Sequence, residues 1–486
     1  MKLLVISLFS LFLSLIFVIT GNAYLLTLIG VQLGQQGIAP TSVGLIMVCY
    51  SIGFVAGAFF APKLLMRVGH IRSFAALAAL AAMASITYPL LDALWVWGLL
   101  RALGGFAVAA LFVAIESWLS AVATNENRAR LFALYQIAAY TAASGGQLLL
   151  EPGLIAGPNI AYSLGALLLM AAIIPLSISR LQSPPLENSP GMSLVRLWRI
   201  TSLGLITALA AGALLSGFYS LVPLYATLTD VSTDQIGNLM SLAVISAMIL
   251  AWPIGWLCDR IERSRVLLAC TLIAGSAALL TAFGVEWSYP IRVLLLAVIM
   301  AIIASIYSIA VALTNDLVDP SERVAASSTL MLSYGLGSVL GPLMGSWLMQ
   351  ALAPSALFYG YAVLFFVLGG YTLYRRSQQQ PITVAEQETF VVAMPESQVA
   401  SEFDPRTEDI ADIPIEELFP EPDQPDETID ETIDDQAVMV ETEESIDTSA
   451  NAEHLPSGNS EQPSRLNEVE TKIDKPDETD PNVGKP

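Results

Sequence analysis

Two ionisable side chains stand alone in otherwise apolar sequence, Arg101 and Glu116. Glu116 follows "FVAI" and precedes "SWLSAV". A carboxylate in such surroundings is costly unless it is paired, solvated or protonated. It could bind a proton in one environment and release it in another, or it could close an ion pair with an arginine such as Arg128. Arg101 could face an anionic group, or it could snorkel to an interface marked by Trp95. Fifteen residues of helix separate the two, about 22 Å of rise and about 60° of rotation. They therefore cannot pair with each other but can line one path at two depths. A second concentration of charge is "IGWLCDRIERSRVLL" (254–268), which places Asp259, Arg260, Glu262, Arg263 and Arg265 between two hydrophobic runs. Its plain reading is a wet turn whose arginines orient helices. Its functional reading is a latch, with Asp259 facing the positive N-terminus of a neighbouring helix or pairing with Arg260 or Arg265. Lone polar or aromatic residues inside apolar runs are the candidates for touching a solute: Asn22, Tyr50, Gln136, Tyr140, Tyr219, Tyr307 and Tyr334. Each alone reads first as a satisfied interhelical hydrogen bond; spread through both halves, together they make a pocket of hydrogen-bonding aromatics. Trp252 joins the set, although tryptophan also anchors helices at membrane interfaces.

The elements that must carry these residues are helices crossing a membrane. Of 486 residues 55% are hydrophobic and 13% charged, but those averages hide a division. Up to Arg376 there are 17 basic and 13 acidic residues, a net of +4; from Ser377 to Pro486 there are 5 and 30, a net of −25. A helix needs about 20 apolar residues to span the hydrocarbon core. Twelve such runs lie between residues 4 and 374, the first and fifth with polar interruptions. Lys2 and the following apolar stretch look like a secretion leader, but the run continues past Gly21 to Leu33 without a clear cleavage site, so a retained first helix is expected. The acidic segment, with "EPDQPDETIDETIDDQ" at its centre, is too poor in apolar residues to fold, and disorder is expected there.

Orientation follows from the basic residues. With a cytoplasmic N-terminus, 15 of the 17 fall at cytoplasmic helix ends and only Arg101 and Arg292 elsewhere. Both termini are then expected in the cytoplasm. Cys49, Cys258 and Cys270 have no metal-ligand spacing and lie in or beside apolar runs, so neither a disulfide nor a metal site is expected. No phosphate-binding Gly-rich loop with Lys stands out, and no nucleophile–base set does, which disfavours an ATP-driven pump or an enzyme. The two halves repeat weakly. At an offset of 193, "TSVGLIM" (41–47) meets "DQIGNLM" (234–240), Arg67 meets Arg260 and Arg72 meets Arg265; at 195, Arg128 meets Arg323 and Gly146 meets Gly341. The expected domains are a six-helix bundle over 1–180, a linker over 181–200, a second six-helix bundle over 201–376 and the tail over 377–486.

"GWLCDRIERSR" resembles the loop signature of the major facilitator superfamily, Gly-x-x-x-Asp-Arg-x-Gly-x-x-Arg. Gly255, Asp259, Arg260 and Arg265 match, and Glu262 replaces the second glycine. "PKLLMRVGHIR" keeps Arg67, Gly69 and Arg72, with Pro62 and Met66 at the first glycine and aspartate positions. "RALGGFAVAA" (101–110) resembles the fourth-helix signature, with Arg101 and Gly105 in place. The resemblance spans about residues 1–376, and "ESWLSAVATNENRARLFALYQ", "GQLLL" and "LLSGFYSLVPLY" are similar to its YcaD-type bacterial branch. It implies an all-α membrane protein of two six-helix bundles that transports a small solute by alternating access. Gate residues would be Gly255, Asp259, Arg260, Arg265, Arg67 and Arg72, and Met66 makes that gate asymmetric. The expected partners are a small-molecule substrate, a proton as coupling ion and the lipid bilayer of a bacterial inner membrane, with no cofactor, no nucleic acid and a monomeric chain. Efflux is favoured over uptake because buried charges are few and aromatics many. The alternative is a transport-inactive receptor that signals through its acidic tail.

Overall fold

The computed structural model describes residues 2–123, 128–178, 192–378, 382–384, 387–388 and 390–391. The chain divides into a unit of residues 1–422 and a second unit, 423–486, that lies wholly outside the described residues. Of the stretch 377–486 expected to be disordered, residues 377–378, 382–384, 387–388 and 390–391 are described. There Glu388 and Phe390 are held by hydrogen bonds to the second half, so disorder does not begin at Ser377. The rest of that stretch and most of the linker lie outside the described residues.

Among the described residues there are helices and no strands. The first half comprises α1 (Lys2–Gln35), α2 (Pro40–Val68), α3 (His70–Thr87), α4 (Leu94–Val122) and α5 (Arg128–Leu148). It closes with α6 (Leu150–Ile155), α7 (Pro158–Ala171) and α8 (Ile173–Ile178), and a short helix α9 (Leu194–Ile200) forms the end of the stretch expected as linker, 181–200. The second half comprises α10 (Ser202–Leu228), α11 (Thr233–Cys258) and α12 (Arg263–Phe283), then α13 (Tyr289–Asn315), α14 (Arg323–Ala351) and α15 (Ala356–Gln378). Pro40 opens α2 and Pro158 opens α7, where a missing N–H costs nothing. Gly69 turns α2 into α3 at φ +90°, a conformation that side-chain-bearing residues avoid.

Eleven helical spans among the described residues are long and apolar enough to cross a membrane, α7 and α8 counting as one. The twelfth is α5, which fails on apolarity for a reason the packing makes plain. It lies between α1 and α11 and buries its polar side chains against them. Thr27 donates to Gln147 Oε1 at 2.5 Å, Gln147 donates to the Ala23 carbonyl at 3.2 Å, and Ser144 meets Ser241 at 2.7 Å. In lipid each of these groups would lack a partner, so α5 turns them towards protein.

Glycines hold each half together. A Cβ on Gly53 or Gly105 would stand 2.0 Å from the Ala102 carbonyl or 2.2 Å from the Tyr50 carbonyl, so α2 and α4 touch backbone to backbone. In the second half Gly337 and Gly341 bring α14 equally close to α10. The repeat seen in the sequence reappears here. Gly146 of α5 faces the Thr20 carbonyl of α1, and Gly341 of α14 faces the Ala213 carbonyl of α10. Gly337 and Gly341, four residues apart on α14, therefore weld helices inside one half.

The face where α1 begins and α15 ends is termed the terminal face, and its opposite the far face. The halves meet through α1 with α10, α2 with α14, and α5 with α11. Gly34 approaches Leu224 and Thr227, Gly44 approaches Ser346, and Gly237 approaches the Gln147 carbonyl. Ser51 adds hydrogen bonds to the Ser338 carbonyl at 3.0 Å and to Ser216 at 3.2 Å. These contacts run from mid-depth to the far face. Gly335 adds an approach to Val55 at mid-depth, and nearer the terminal face than that no described glycine approaches the other half.

The weld predicts a sharp contrast. Gly341→Ala should lower the thermal midpoint of the detergent-solubilised protein by on the order of 5 °C, because overpacking costs about 1–3 kcal/mol. Gly370→Ala, where an added methyl meets open space, should leave that midpoint unchanged. Thermal unfolding followed by size-exclusion loss checks both.

Candidate functional site

At mid-depth three of the residues singled out in the sequence form one polar chain. The Tyr50 hydroxyl donates to Asn22 Oδ1 at 3.0 Å. The Arg101 guanidinium lies over the Tyr50 ring, 4.5 Å from its centroid, and one of its nitrogens is 3.5 Å from the Met47 sulfur. Gly105, one turn along α4, allows the close approach that sets this stack. Arg101 is 3% exposed while Trp95 is 74% exposed, so the arginine turns into the protein and does not snorkel. A guanidinium buried on an aromatic face gains a cation–π attraction that is stronger for being desolvated.

Two cavities flank this chain, each of about 50 Å³, and Tyr219 and Leu215 line both. One is bounded by Tyr50, Ser51, Ser216 and Tyr334, the other by Phe112, Tyr135, Tyr140 and Met300. The Tyr307 ring packs edge-on against Tyr334 at 5.3 Å. The structure therefore brings together Asn22, Tyr50, Arg101, Tyr140, Tyr219, Tyr307 and Tyr334, from both halves. Gln136 is buried on α5 but lines neither cavity. Trp252 is a correction: it is 76% exposed on the outer surface of α11, the position of a lipid-facing anchor and not of a pocket residue.

Glu116 is fully buried, and the Tyr135 hydroxyl donates to its Oε1 at 2.7 Å. Because Tyr135 also borders a central cavity, one phenol bridges that cavity and the carboxylate. Sequence reasoning passed over Tyr135, whose only signal was its place one residue before Gln136 and five before Tyr140. It also passed over His70, buried beside the next residues of α4: its Nε2 lies 3.0 Å from the Ser117 hydroxyl and its ring 5.1 Å from that of Trp118.

The charged turn between α11 and α12 is wired differently from the expectation. Asp259 pairs with neither Arg260 nor Arg265; its Oδ1 accepts the Phe390 amide at 2.7 Å. Arg260 stacks over Trp256 at 4.2 Å, and Arg265 joins Glu262 at 3.0 Å. Glu262, standing where the family pattern has glycine, also holds Arg376 at 3.1 Å. The buried ion pair is Arg263 with Asp316, at 0% and 2% side-chain exposure, joining the start of α12 to the end of α13. Gly255 lies beneath the Phe390 ring. In the first half Arg67 and Arg72 are exposed and show no ion pair among the described residues, and Met66 is exposed beside them.

Residues 11–233 and 205–422 each match the family model described as Major Facilitator Superfamily. The chain belongs to the major facilitator superfamily. An uncharacterized MFS-type transporter, YcaD, of Escherichia fergusonii is 30% identical over 349 residues, covering 71% of this chain and 89% of that protein. Another uncharacterized MFS-type transporter, from Yersinia pestis, is 31% identical over 355 residues with coverage of 71% and 89%. Among solved structures, the nucleoside transporter NupG is similar at a TM-score of 0.57 and 16% identity, covering 78% of this chain and all of that one. A bacterial homologue of the human lysosomal transporter Spinster, inward-facing and occupied, is similar at a TM-score of 0.64 and 12% identity, covering 79% and 98%. These two likenesses establish the fold, and the relatives place the chain in the YcaD branch. Membership makes it a multi-pass membrane transporter and not an enzyme.

The surface position of Trp252 is testable without a substrate. In a variant that keeps Trp252 and replaces the other seven tryptophans by Phe, brominated phospholipid should quench most of the fluorescence. Aqueous acrylamide should quench little of it. The reverse pattern would return Trp252 to the pathway.

Proposed function

We propose that this transporter is a secondary carrier that moves a small, weakly charged organic solute by alternating access across a bacterial inner membrane. The observation that supports it most is the central cluster around Tyr219, fed by helices of both halves. Pockets that hold drug-sized ligands measure about 300–1,000 Å³. Two cavities of about 50 Å³ each cannot hold such a solute, so binding requires the halves to part. Their close approaches run from mid-depth to the far face. With the basic residues gathered at the terminal face, that face is cytoplasmic, and the arrangement seen is the one sealed towards the periplasm. Both termini then lie in the cytoplasm. The chain acts as a monomer, since one bundle pair holds a complete pathway.

Glu116 is the proposed proton site. Its carboxylate is buried and reaches the central cavity through the Tyr135 hydroxyl. Water that enters with the change of arrangement would reach the carboxylate in one state and be shut out in the other. The proton would be bound in one state and released in the other. Aromatic walls and a single cation over Tyr50 suit an amphipathic solute, and efflux is the favoured direction.

Metabolite profiling and drug-susceptibility comparison of deletion and overexpression strains should supply the substrate. In proteoliposomes Glu116→Gln should then reduce accumulation against a gradient to background while leaving solute exchange at zero gradient intact. Accumulation at the wild-type level would make Glu116 a structural group.

A further inference from the structure

The chain beyond α15 returns to the turn between α11 and α12 and uses the groups expected there to work as a latch. The Phe390 amide donates to Asp259 Oδ1 at 2.7 Å, and its ring lies where a Cβ on Gly255 would stand 2.9 Å from it. The Glu388 amide donates to Asp316 Oδ1 at 3.2 Å, its carbonyl accepts from Arg263, and its carboxylate pairs with Arg323. Asp259, Gly255, Arg263, Asp316 and Arg323 sit at the terminal-face ends of α11, α12, α13 and α14. One short segment thus ties four helix ends of the second half to each other. The hydrogen bonds and ion pair just named are all to that half.

On the other half, α11 packs against α5. The terminal-face end of α5 is its N-terminus, with Arg130 exposed in the first turn. A helix N-terminus with an added arginine attracts a carboxylate. Asp259, at the C-terminal end of α11, is the carboxylate that reaches it if the terminal-face ends close. In the present arrangement Asp259 is engaged by Phe390 instead.

We propose that the segment holding Glu388 and Phe390 is a built-in strap: by occupying Asp259 it keeps the terminal-face ends of the halves apart, and its release lets Asp259 close onto the first half. The proposal rests on the alternating-access reading but is tested by conformation, so a chain that moved no solute would leave it measurable.

Spin labels on Met66→Cys and Ser328→Cys, both exposed near terminal-face ends of α2 and α14, report the separation in the full chain with its three native cysteines replaced. The intact strap should give mainly the long distance. Glu388→Ala with Phe390→Ala removes the carboxylate paired with Arg323 and the ring against Gly255, the side-chain anchors that hold the backbone donors in place. It should raise the short-distance population; loss of the charged hydrogen bond alone is worth about tenfold or more in an equilibrium. Adding Asp259→Asn to that variant should reverse the rise. The charge exchange Glu388→Arg with Arg323→Glu should keep the long distance, which separates strap loss from misfolding. An unchanged distribution in the strap variant, or a rise that Asp259→Asn fails to reverse, overturns the proposal. Solute flux in the same variants reports separately on the transport reading.

Discussion

Inside a bilayer a polar side chain has no water to turn to, so its partner must come from the protein, and for all but the short hydroxyl side chains that means another helix. That constraint organises this molecule. It fixes the rotation of α5, whose Gln147 faces α1 and whose Ser144 faces α11. It ties Asn22 of α1 to Tyr50 of α2, and sets Arg101 of α4 over the same ring. It buries Arg263 only because Asp316 is there to meet it, and it gives Glu116 the hydroxyl of Tyr135. Each pairing chooses which helices become neighbours as much as it neutralises a group.

Within each half the helices also touch through glycine, backbone against carbonyl, where a single methyl has no room. Contacts of that kind have one geometry and give rigid bodies. Between the halves the described hydrogen bonds are fewer and come from serine: Ser51 with Ser216 and Ser338, and Ser144 with Ser241. A neutral hydrogen bond contributes about 0.5–1.5 kcal/mol net. A handful of them can be exchanged for solvent or for contacts at the opposite face without unfolding anything. Two stiff bodies with an inexpensive seam are what a rocking carrier requires.

Much of this was legible in the residues. Lone polar groups in apolar runs marked Asn22, Tyr50, Arg101, Tyr140, Tyr219, Tyr307 and Tyr334, because such groups survive only where something satisfies them. The partners were not legible, since Tyr50 and Asn22 are 28 residues apart and only packing brings them together. Serine misleads for a related reason. Ser163 and Ser177 bond back to their own helices, while Ser51 and Ser144 cross between halves, and no local pattern distinguishes them. Trp252 was over-read because tryptophan serves pockets and lipid interfaces alike. The charged turn was recognised as a motif, yet its partners Asp316, Arg376 and Phe390 lie far along the chain. The replacement of glycine by Glu262 became intelligible only with Arg265 and Arg376 bound to it.

The central claim is that the far-face seam opens and closes during transport. Ser144→Cys with Ser241→Cys tests it, because the two hydroxyl oxygens are 2.7 Å apart and thiols so placed can oxidise to a disulfide. In a background lacking Cys49, Cys258 and Cys270, the pair should cross-link under mild oxidant. Transport should then stop and return on reduction. A chain that cross-links fully and still carries solute at the uncross-linked rate would contradict the account.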